Sequence, residues 1–327
     1  MAEQRHSAAG GGGQRWRAVG ALARRQHGIV SRPQLRALGF RPGAIDRAIA
    51  QGRLYPLFRG AFGVGHPPQG RNAKLVAAVL ACGEGSVISH GTAAALLGLW
   101  RCPPRLIDVI ALVEAGRKID GVYRRHTPFP SEREAWVHEG VPCTSPSRTI
   151  VDVAGIANER TLRETIEQAA VLRMLNVPEI DAVLDGPRRR GSRRLRLIVD
   201  LWRRYPPGMC VRSRLEAKLL PLLTEYGLEI PRVNQKLAVG SERFEIDFLW
   251  PRHRLVVETD GGRYHDNPEA KARDRHRNRL LHAAGYRVWR LSWDDLAHRP
   301  EATLLRLSSL LRGRAPNVGG TAVSPLP

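Results

Sequence analysis

The 327-residue chain lacks any apolar run approaching the ~20 residues that span a bilayer, so no membrane-spanning helix is expected. Its first residues, MAEQRHSAAGGGGQR, lack the apolar core of a secretory signal. The glycine run there reads as a disordered leader over residues 1–14, and the expected location is the cytoplasm. Cysteine is scarce: Cys82, Cys102, Cys143 and Cys210 lie far apart and form no C-x-x-C pair. That excludes a zinc ribbon or a disulfide framework and fits reduced thiols. Lysine is nearly missing too, at five residues, and acids are outnumbered.

What is abundant is arginine. Fifty-two basic residues against thirty-one acidic give a net charge of +21. A coding bias would choose arginine over lysine without creating this excess of basic over acidic side chains. The excess points to a polyanionic partner. No amphipathic Lys/Trp helix of the membrane-lying kind is visible, so nucleic acid is expected rather than a lipid surface. Hydrophobic residues at 43% suffice for proper cores, and the length predicts two or three domains.

Residues 15–68 read as a small helical unit followed by a hairpin. Trp16, Val19, Leu22 and Ala23 share one helical stripe, and Gly28 ends that helix. Ser31 caps a second helix with Pro33 in its first turn and Leu35 and Leu38 inward. After Gly39 a third short helix runs from Pro42 to Gln51, with Ile45 and Ile49 inward. Short helices joined by a glycine-containing turn form a helix-turn-helix, and LYPLFRGAFGVG reads as a β-hairpin wing. In such a unit the third helix enters the major groove and presents Arg41, Ala44 and Arg47. Arg53 and Arg59 on the wing reach the DNA backbone. The stretch QHGIVSRPQLRALGFRPGAIDRAIAQGRLYPLFRGAFGVG resembles the N-terminal winged-helix domain of AbiEi-type antitoxins of abortive-infection systems. That resemblance implies DNA binding and a possible cognate toxin.

Residues 69–205 predict a mostly helical α/β region. LVAAVLACG and SHGTAAALLGLW read as helices, DVIALV as a strand, and GVPCTSPSRTIVDVAG as a loop entering a helix capped by Ser147. Leu162, Ile166, Ala169 and Leu172 mark the apolar face of an amphipathic helix. Ser89 and His90 are adjacent, but a neighbouring Ser-His pair is not a triad, and capping accounts for Ser89. The run PRRRGSRRLR, residues 187–196, is either a solvated linker face or a phosphate-contacting patch. The SHGTAAALLGL and GVPCTSPSRTIVDVA segments resemble those that follow the winged helix in AbiEi-like proteins.

Residues 206–311 differ in character, and 312–327 read as a disordered tail. SRLEAKLLPLLTEYG is a helix capped by Ser213 and kinked at Pro221. QKLAV, RFEIDFLW and RLVVETDG are three short strands. Pairing the last two around a turn between Arg252 and His253 puts Asp247 directly opposite Glu258, and Glu245 opposite Asp260. Opposed side chains have Cβ atoms about 4.5–5.5 Å apart, and like charges there destabilise. Such a pair calls for a cation or a protonated carboxyl, and hard oxygen ligands suit Mg²⁺ or Mn²⁺. Glu216 is either a third acid or the partner of Ser213 in a capping box. His265 is a candidate base or phosphate donor. On the helix PEAKARDRHRNRLLHAAG, Asn267 is the cap, and Arg273 with Arg277 suits a DNA backbone. Asp274 with Arg277 equally suits a structural ion pair.

In this order, LEAKLLPLLTEYGL, NQKLAV, FEIDFLWPRHRLVVETDG, His265 and DRHRNRLLHAAGYRVWRLSW are similar to a bacterial domain related to very-short-patch-repair endonucleases. The resemblance implies the PD-(D/E)xK nuclease superfamily and an αβββαβ core, with Asp247 and Glu258 as metal ligands and Glu216 as the helix acid. The superfamily lysine is absent, because Asp260 stands in its place; Lys236 and Arg243 are candidate substitutes from neighbouring strands. The zinc-binding cysteines of the repair enzyme are also missing, so its mismatch specificity is not carried over. The whole chain thus predicts a multidomain α+β protein. It is expected to bind double-stranded DNA and to act as a Mg²⁺-dependent endonuclease in phage defence or repair. The alternative is a non-catalytic antitoxin-like regulator with a degenerate nuclease domain.

Overall fold

The computed structural model describes residues 6–111, 118–205, 211–260 and 268–313. Among the described residues the fold is mixed α+β, with thirteen α-helices and three sheets. Backbone contacts divide the chain into two compact units, Met1–Thr165 with Pro178–Ser192, and Ile166–Val177 with Arg193–Pro327. No helix among the described residues is long and apolar enough to cross a membrane.

The first unit opens with α1 (His6–Arg25), β1 (Ile29–Ser31), α2 (Arg32–Ala37), α3 (Pro42–Ala50), β2 (Leu54–Phe58) and β3 (Ala61–Val64). The sheet order β1-β3-β2 and the three helices make a winged helix-turn-helix. Val19 and Ala23 of α1, Leu35 of α2, Ile45 and Ala48 of α3, and Leu54 and Phe62 of the wing share one core, with Trp16 and Leu22 packed on it. Ser31 closes α2 with a capping box: its hydroxyl accepts from Gln34 N at 3.3 Å, and Gln34 Oε1 accepts from Ser31 N at 2.9 Å. Two details differ from expectation. The helix starts at His6, inside the segment read as a leader, because a helix nucleated on the packed Trp16 stripe adds one hydrogen bond per further residue. Strand β1, three buried residues, carries too short a pattern to be recognised alone.

The rest of this unit centres on a five-stranded mixed sheet, more strand than a mostly helical region suggests. Its members are β4 (Val87–Ile88), β5 (Ile107–Ile110), β6 (Val122–Arg124), β7 (Ala135–His138) and β8 (Val141–Thr144), in the order β6-β5-β4-β8-β7. Helices α4 (Arg71–Cys82), α5 (His90–Leu96) and α6 (Pro146–Ala154) pack on it, and α4 also touches β1, β2 and β3 of the winged helix. Helix α7 (Glu159–Val171) buries Leu162, Ile166 and Ala169 as its spacing predicts. Leu172 falls just past the helix end and is exposed. Helix α8 (Val177–Leu184) follows, and α9 (Ser192–Asp200) belongs to the second unit from Arg193 onward.

The serines differ from expectation. Ser145, not Ser147, caps α6 by accepting from Arg148 N, while Ser147 donates to Glu179. Ser89 occupies the cap position of α5 without bonding its amides; its hydroxyl shares a 3.0 Å hydrogen bond with His90 Nδ1 instead. The backbone of His90 is left-handed, with φ of 48°, which aims the ring inward.

A buried arginine organises this region. Arg148 is fully buried and donates to Asp152 Oδ1 at 2.9 Å, Glu134 Oε2 at 3.2 Å and the Pro128 carbonyl at 2.7 Å. Three acceptors around one guanidinium meet the requirement that a buried charge be paired and hydrogen-bonded. Arg189, from the basic run 187–196, also faces inward, bonding the Val183 carbonyl at 2.8 Å and lying 3.6 Å from Glu134.

Burial, reinforced by the positive charges of Arg125 and Arg148, pushes His90 down to about 3. A neighbouring acid, Asp152, lies 3.9 Å from His90 Nδ1 and is itself pushed up to about 6 by burial. The unfolded chain protonates this ring near 6.5, while the folded ring refuses the proton until about 3. The stability that a neutral His90 contributes is therefore fully present above 6.5 and is lost progressively as pH falls from there. We expect ring-nitrogen NMR to show His90 neutral at pH 5, its signal identified by loss in His90→Asn, a residue that tolerates the left-handed backbone. A midpoint near 6.5 contradicts this packing.

Candidate active site

The second unit contains α10 (Arg214–Glu225), β9 (Arg232–Val239), β10 (Glu242–Trp250), β11 (Leu255–Asp260), α11 (Pro268–Ala283), β12 (Arg287–Ser292), α12 (Trp293–His298) and α13 (Pro300–Arg312). Its sheet runs β12-β11-β10-β9, with β11 and β12 parallel and α11 as the crossover between them. The αβββαβ order is that expected from the sequence. Helix α10 runs through Pro221 to Glu225 and buries Leu215, Leu219, Leu220 and Leu223.

The pairs Phe248↔Val257, Leu249↔Val256 and Trp250↔Leu255 fix the β10–β11 register. One step further puts Asp247 opposite Glu258, the arrangement that counting across the hairpin predicts. The ladders themselves skip Asp247. Pairing with β9 steps from Ile246↔Gln235 to Phe248↔Val233, and pairing with β11 stops at Phe248. Across the gap on β9, Asn234 adopts a left-handed φ of 50°. Local breaks of this kind re-aim side chains beside functional sites. Here Asp247 Oδ2 accepts from Thr259 N at 2.7 Å and from Thr259 Oγ1 at 2.6 Å. Thr259 has no signal in the sequence beyond its place between two acids.

Glu216 forms only half of the expected capping box. Ser213 caps α10 by accepting from Glu216 N at 3.1 Å. The Glu216 carboxylate does not close a capping box on Ser213; its Oε2 accepts from Arg212 N at 2.9 Å and from Asn234 Nδ2 at 2.9 Å. It is only 3% exposed, and burial raises its pKa, with the charge of Asp247 adding to the rise. Asp247 therefore acts electrostatically on Glu216 as well as on Glu258.

Glu258 has a cation of its own. Arg277 of α11 donates to Glu258 Oε1 and, at 2.6 Å, to the Glu245 carbonyl, with its guanidinium 5.8 Å from the centre of the Phe244 ring. Burial pushes Glu258 up to about 7; Asp247 adds to the rise, while Arg277 and Arg290 oppose it. Arg290 is the β12 register partner of Glu258.

These contacts bear on the other expectations. Arg277, expected on a DNA-facing surface with Arg273, turns its guanidinium into the unit, while Arg273 is exposed. Asp274 pairs with Arg290 at 2.9 Å, not with Arg277, because the strand neighbour is in reach and Arg277 is held by Glu258. Glu245 is bound by Arg212. The cation on Glu258 comes from the crossover helix, while Lys236 is the β9 register partner of Glu245 and Arg243 is exposed. His265 and Asn267 lie outside the described residues, as does the Asp260 side chain, although the Asp260 backbone ends β11.

Arg41, Arg47, Arg53 and Arg59 all belong to the first unit and are exposed. Arg41 stands at the cap of α3, Arg47 lies in its last turn, and Arg59 sits in the β2–β3 turn. Arg53 folds back, with its guanidinium 5.6 Å from the centre of the Trp16 ring. Among the described residues, no three His, Cys, Asp or Glu side chains come together as a metal-binding group.

The rise of Glu258 from 4.5 to about 7 has a defined sign. The folded chain holds a proton that the unfolded chain has released, so the contribution is full below about 4.5 and is lost as pH rises through about 7. Glu258→Gln removes this linkage. Relative to the wild-type chain, the variant should gain up to about 3 kcal/mol between pH 4.5 and 8, read from paired denaturant titrations. Parallel pH profiles for the two proteins contradict the assignment.

Comparison with known families follows the same division. Residues 17–64 match the family "Transcriptional regulator, AbiEi antitoxin", and residues 81–201 match "AbiEi antitoxin C-terminal domain". Residues 216–311 match the family REase_MTES_1575. Two uncharacterized proteins of Mycobacterium tuberculosis, MT2308 of strain CDC 1551 / Oshkosh and Rv2248 of strain H37Rv, are each 25% identical over 167 residues. Each match covers 50% of this chain and 60% of the relative, so it spans less than two thirds of their length. The chain therefore joins AbiEi-antitoxin-like domains on its N-terminal side to a restriction-endonuclease-like domain on its C-terminal side.

Proposed function

We propose that this is a DNA-binding protein whose C-terminal domain hydrolyses phosphodiester bonds with Mg²⁺ or Mn²⁺. The observation carrying this reading is a break in the sheet at Asp247, with Asn234 across it on β9 holding Glu216 and with Glu258 one step beyond the last β10–β11 pair. Asp247 and Glu258 are the residues to hold the cation. The donor set fits Mg²⁺, which is commonly held by one or two carboxylates and completes its shell with waters and substrate phosphates. When bound, such a cation supplies a water of lowered pKa and neutralises charge at the phosphate.

The chain's own groups do the rest. Thr259 orients Asp247 through two hydrogen bonds, and Asn234 with Arg212 N holds Glu216 against β9. Arg290 and Arg277 lie beside Glu258 and offer guanidinium donors to a substrate phosphate, Arg277 by exchanging its present contact. His265 and Asp260 enter as candidates for proton transfer on the sequence alone. Arg41, Arg47, Arg53 and Arg59 anchor a DNA duplex through the winged helix, with Arg273 as a further phosphate contact. The setting is a cytoplasmic one in phage defence or DNA repair, with a cognate toxin as a second partner.

A second reading has an observation of its own. The Arg277 guanidinium lies on the Glu258 carboxylate, where it already balances the charge a metal would balance. That favours a regulator of the antitoxin kind, whose nuclease-type domain binds nucleic acid without cutting it.

Incubation with plasmid, linear and single-stranded DNA in Mg²⁺, Mn²⁺ or EDTA separates the two. Metal-dependent cutting that falls at least roughly a hundredfold in Asp247→Ala supports the enzyme. Binding without cutting on every substrate supports the regulator. At the other end of the chain, Arg47→Ala should weaken duplex binding and reduce the slope of log affinity against log salt by about one. An unchanged salt slope takes α3 out of the interface.

A further inference from the structure

Arg15 and Trp16 are consecutive on α1, and Arg47 and Gln51 lie four apart at the end of α3. With Phe40 and Arg53 these side chains line a half-open cleft of about 270 Å³ inside the winged helix. Its wall is aromatic: Trp16 and Phe40 meet edge to face with centroids 5.1 Å apart. Its cations are held on those rings, Arg53 at 5.6 Å from Trp16 and Arg15 at 5.7 Å from Phe40. Arg15 is fixed further by donating to the Gly39 carbonyl at 3.0 Å. Among the described residues, no carboxylate lines the cleft. The nearby acid, Asp46, lies in an ion pair with Arg32 at 3.2 Å.

The chemistry of this lining is selective. Three guanidinium groups line the cleft, and their planar forks match phosphate oxygens two at a time. Aromatic faces and arginine planes stack on a flat ring. The Gln51 amide carries both a donor and an acceptor for the edge of such a ring. The volume lies just below the usual 300–1,000 Å³ of small-molecule pockets, which suits one nucleotide and no more.

We propose that this cleft binds a single nucleotide, its base against Trp16 and its phosphate among Arg15, Arg47 and Arg53. The nucleotide is either free in solution or the unstacked terminal residue of a DNA strand. Only the second source rests on the DNA-binding reading, through Arg47 and Arg53. A free nucleotide on Arg47 competes with the duplex for the same guanidinium and so releases the protein from DNA.

The test uses the full chain at low salt. Calorimetric titration with AMP, adenosine and inorganic phosphate gives the first arm. AMP should bind at least about tenfold more tightly than either fragment and lose about tenfold in Arg15→Ala or Arg53→Ala. Thermal melts confirm that both variants remain folded. The second arm places 2-aminopurine at the end of a duplex and reads its fluorescence. A change on binding that disappears in Arg15→Ala supports the strand-end source even where free AMP does not bind. The proposal is overturned if neither signal depends on Arg15 and Arg53, or if phosphate alone binds as tightly as AMP. Duplex affinity separates the two readings. If it is intact while both nucleotide signals are missing, this inference alone falls. If it is insensitive to Arg47→Ala while AMP still binds, the DNA reading falls and the cleft stands.

Discussion

Two negative charges brought together across neighbouring strands organise the C-terminal unit. Extending the β10–β11 register by one step sets Asp247 against Glu258, and like charges so placed need partners. Relief comes from what surrounds them. Asp247 drops out of both ladders and turns to the amide and hydroxyl of Thr259. Glu258 binds Arg277 and has Arg290 as its neighbour on β12. The same guanidinium reaches the Glu245 carbonyl and covers Phe244, so one side chain ties α11 to two strands. An acid left near 7 despite these partners shows that compensation is partial. Functional sites commonly retain such residual electrostatic strain.

The first unit handles charge in two contrasting ways. Arg148 lies in the interior with every side of its guanidinium answered, by Asp152, Glu134 and a backbone carbonyl. Removing one partner from such a group leaves a buried charge uncompensated, which costs far more than the pair contributes. The arginines of the winged helix are arranged differently. Arg15 lies over the ring of Phe40 and Arg53 over that of Trp16, both with exposed side chains.

Much of this is legible in the order of the residues, for reasons that differ by element. The winged helix can be read because its caps and breakers, Ser31, Gly28 and Gly39, stand at the boundaries they enforce. The pairing of Asp247 with Glu258 follows from counting across a turn, since a hairpin's register depends only on where it closes. Three kinds of feature are hidden. The strands of the central sheet are two to four residues long, too short to show a period. Serine caps are ambiguous where serines cluster: Ser145 and Ser147 are both plausible, and only the backbone decides. The partner of Glu258 is hidden most deeply. Arg277 has no local relation to it, and the arginine's spacing from Arg273 and Asp274 suggests two other roles. Contacts through a crossover helix depend on tertiary placement, which pattern reading along one element does not reach.

That crossover has a consequence for how the site comes into being. A hairpin such as β10–β11 closes on contacts near in sequence, whereas the parallel β11–β12 pairing waits for a whole helix to be laid across the sheet. The arginine that answers Glu258 stands 19 residues further along the chain. As the polypeptide is synthesised, both acids therefore emerge from the ribosome before their counter-charge does. The nascent hairpin must carry its repulsion through that interval, sheltered only by water, protons and the cations dissolved around it.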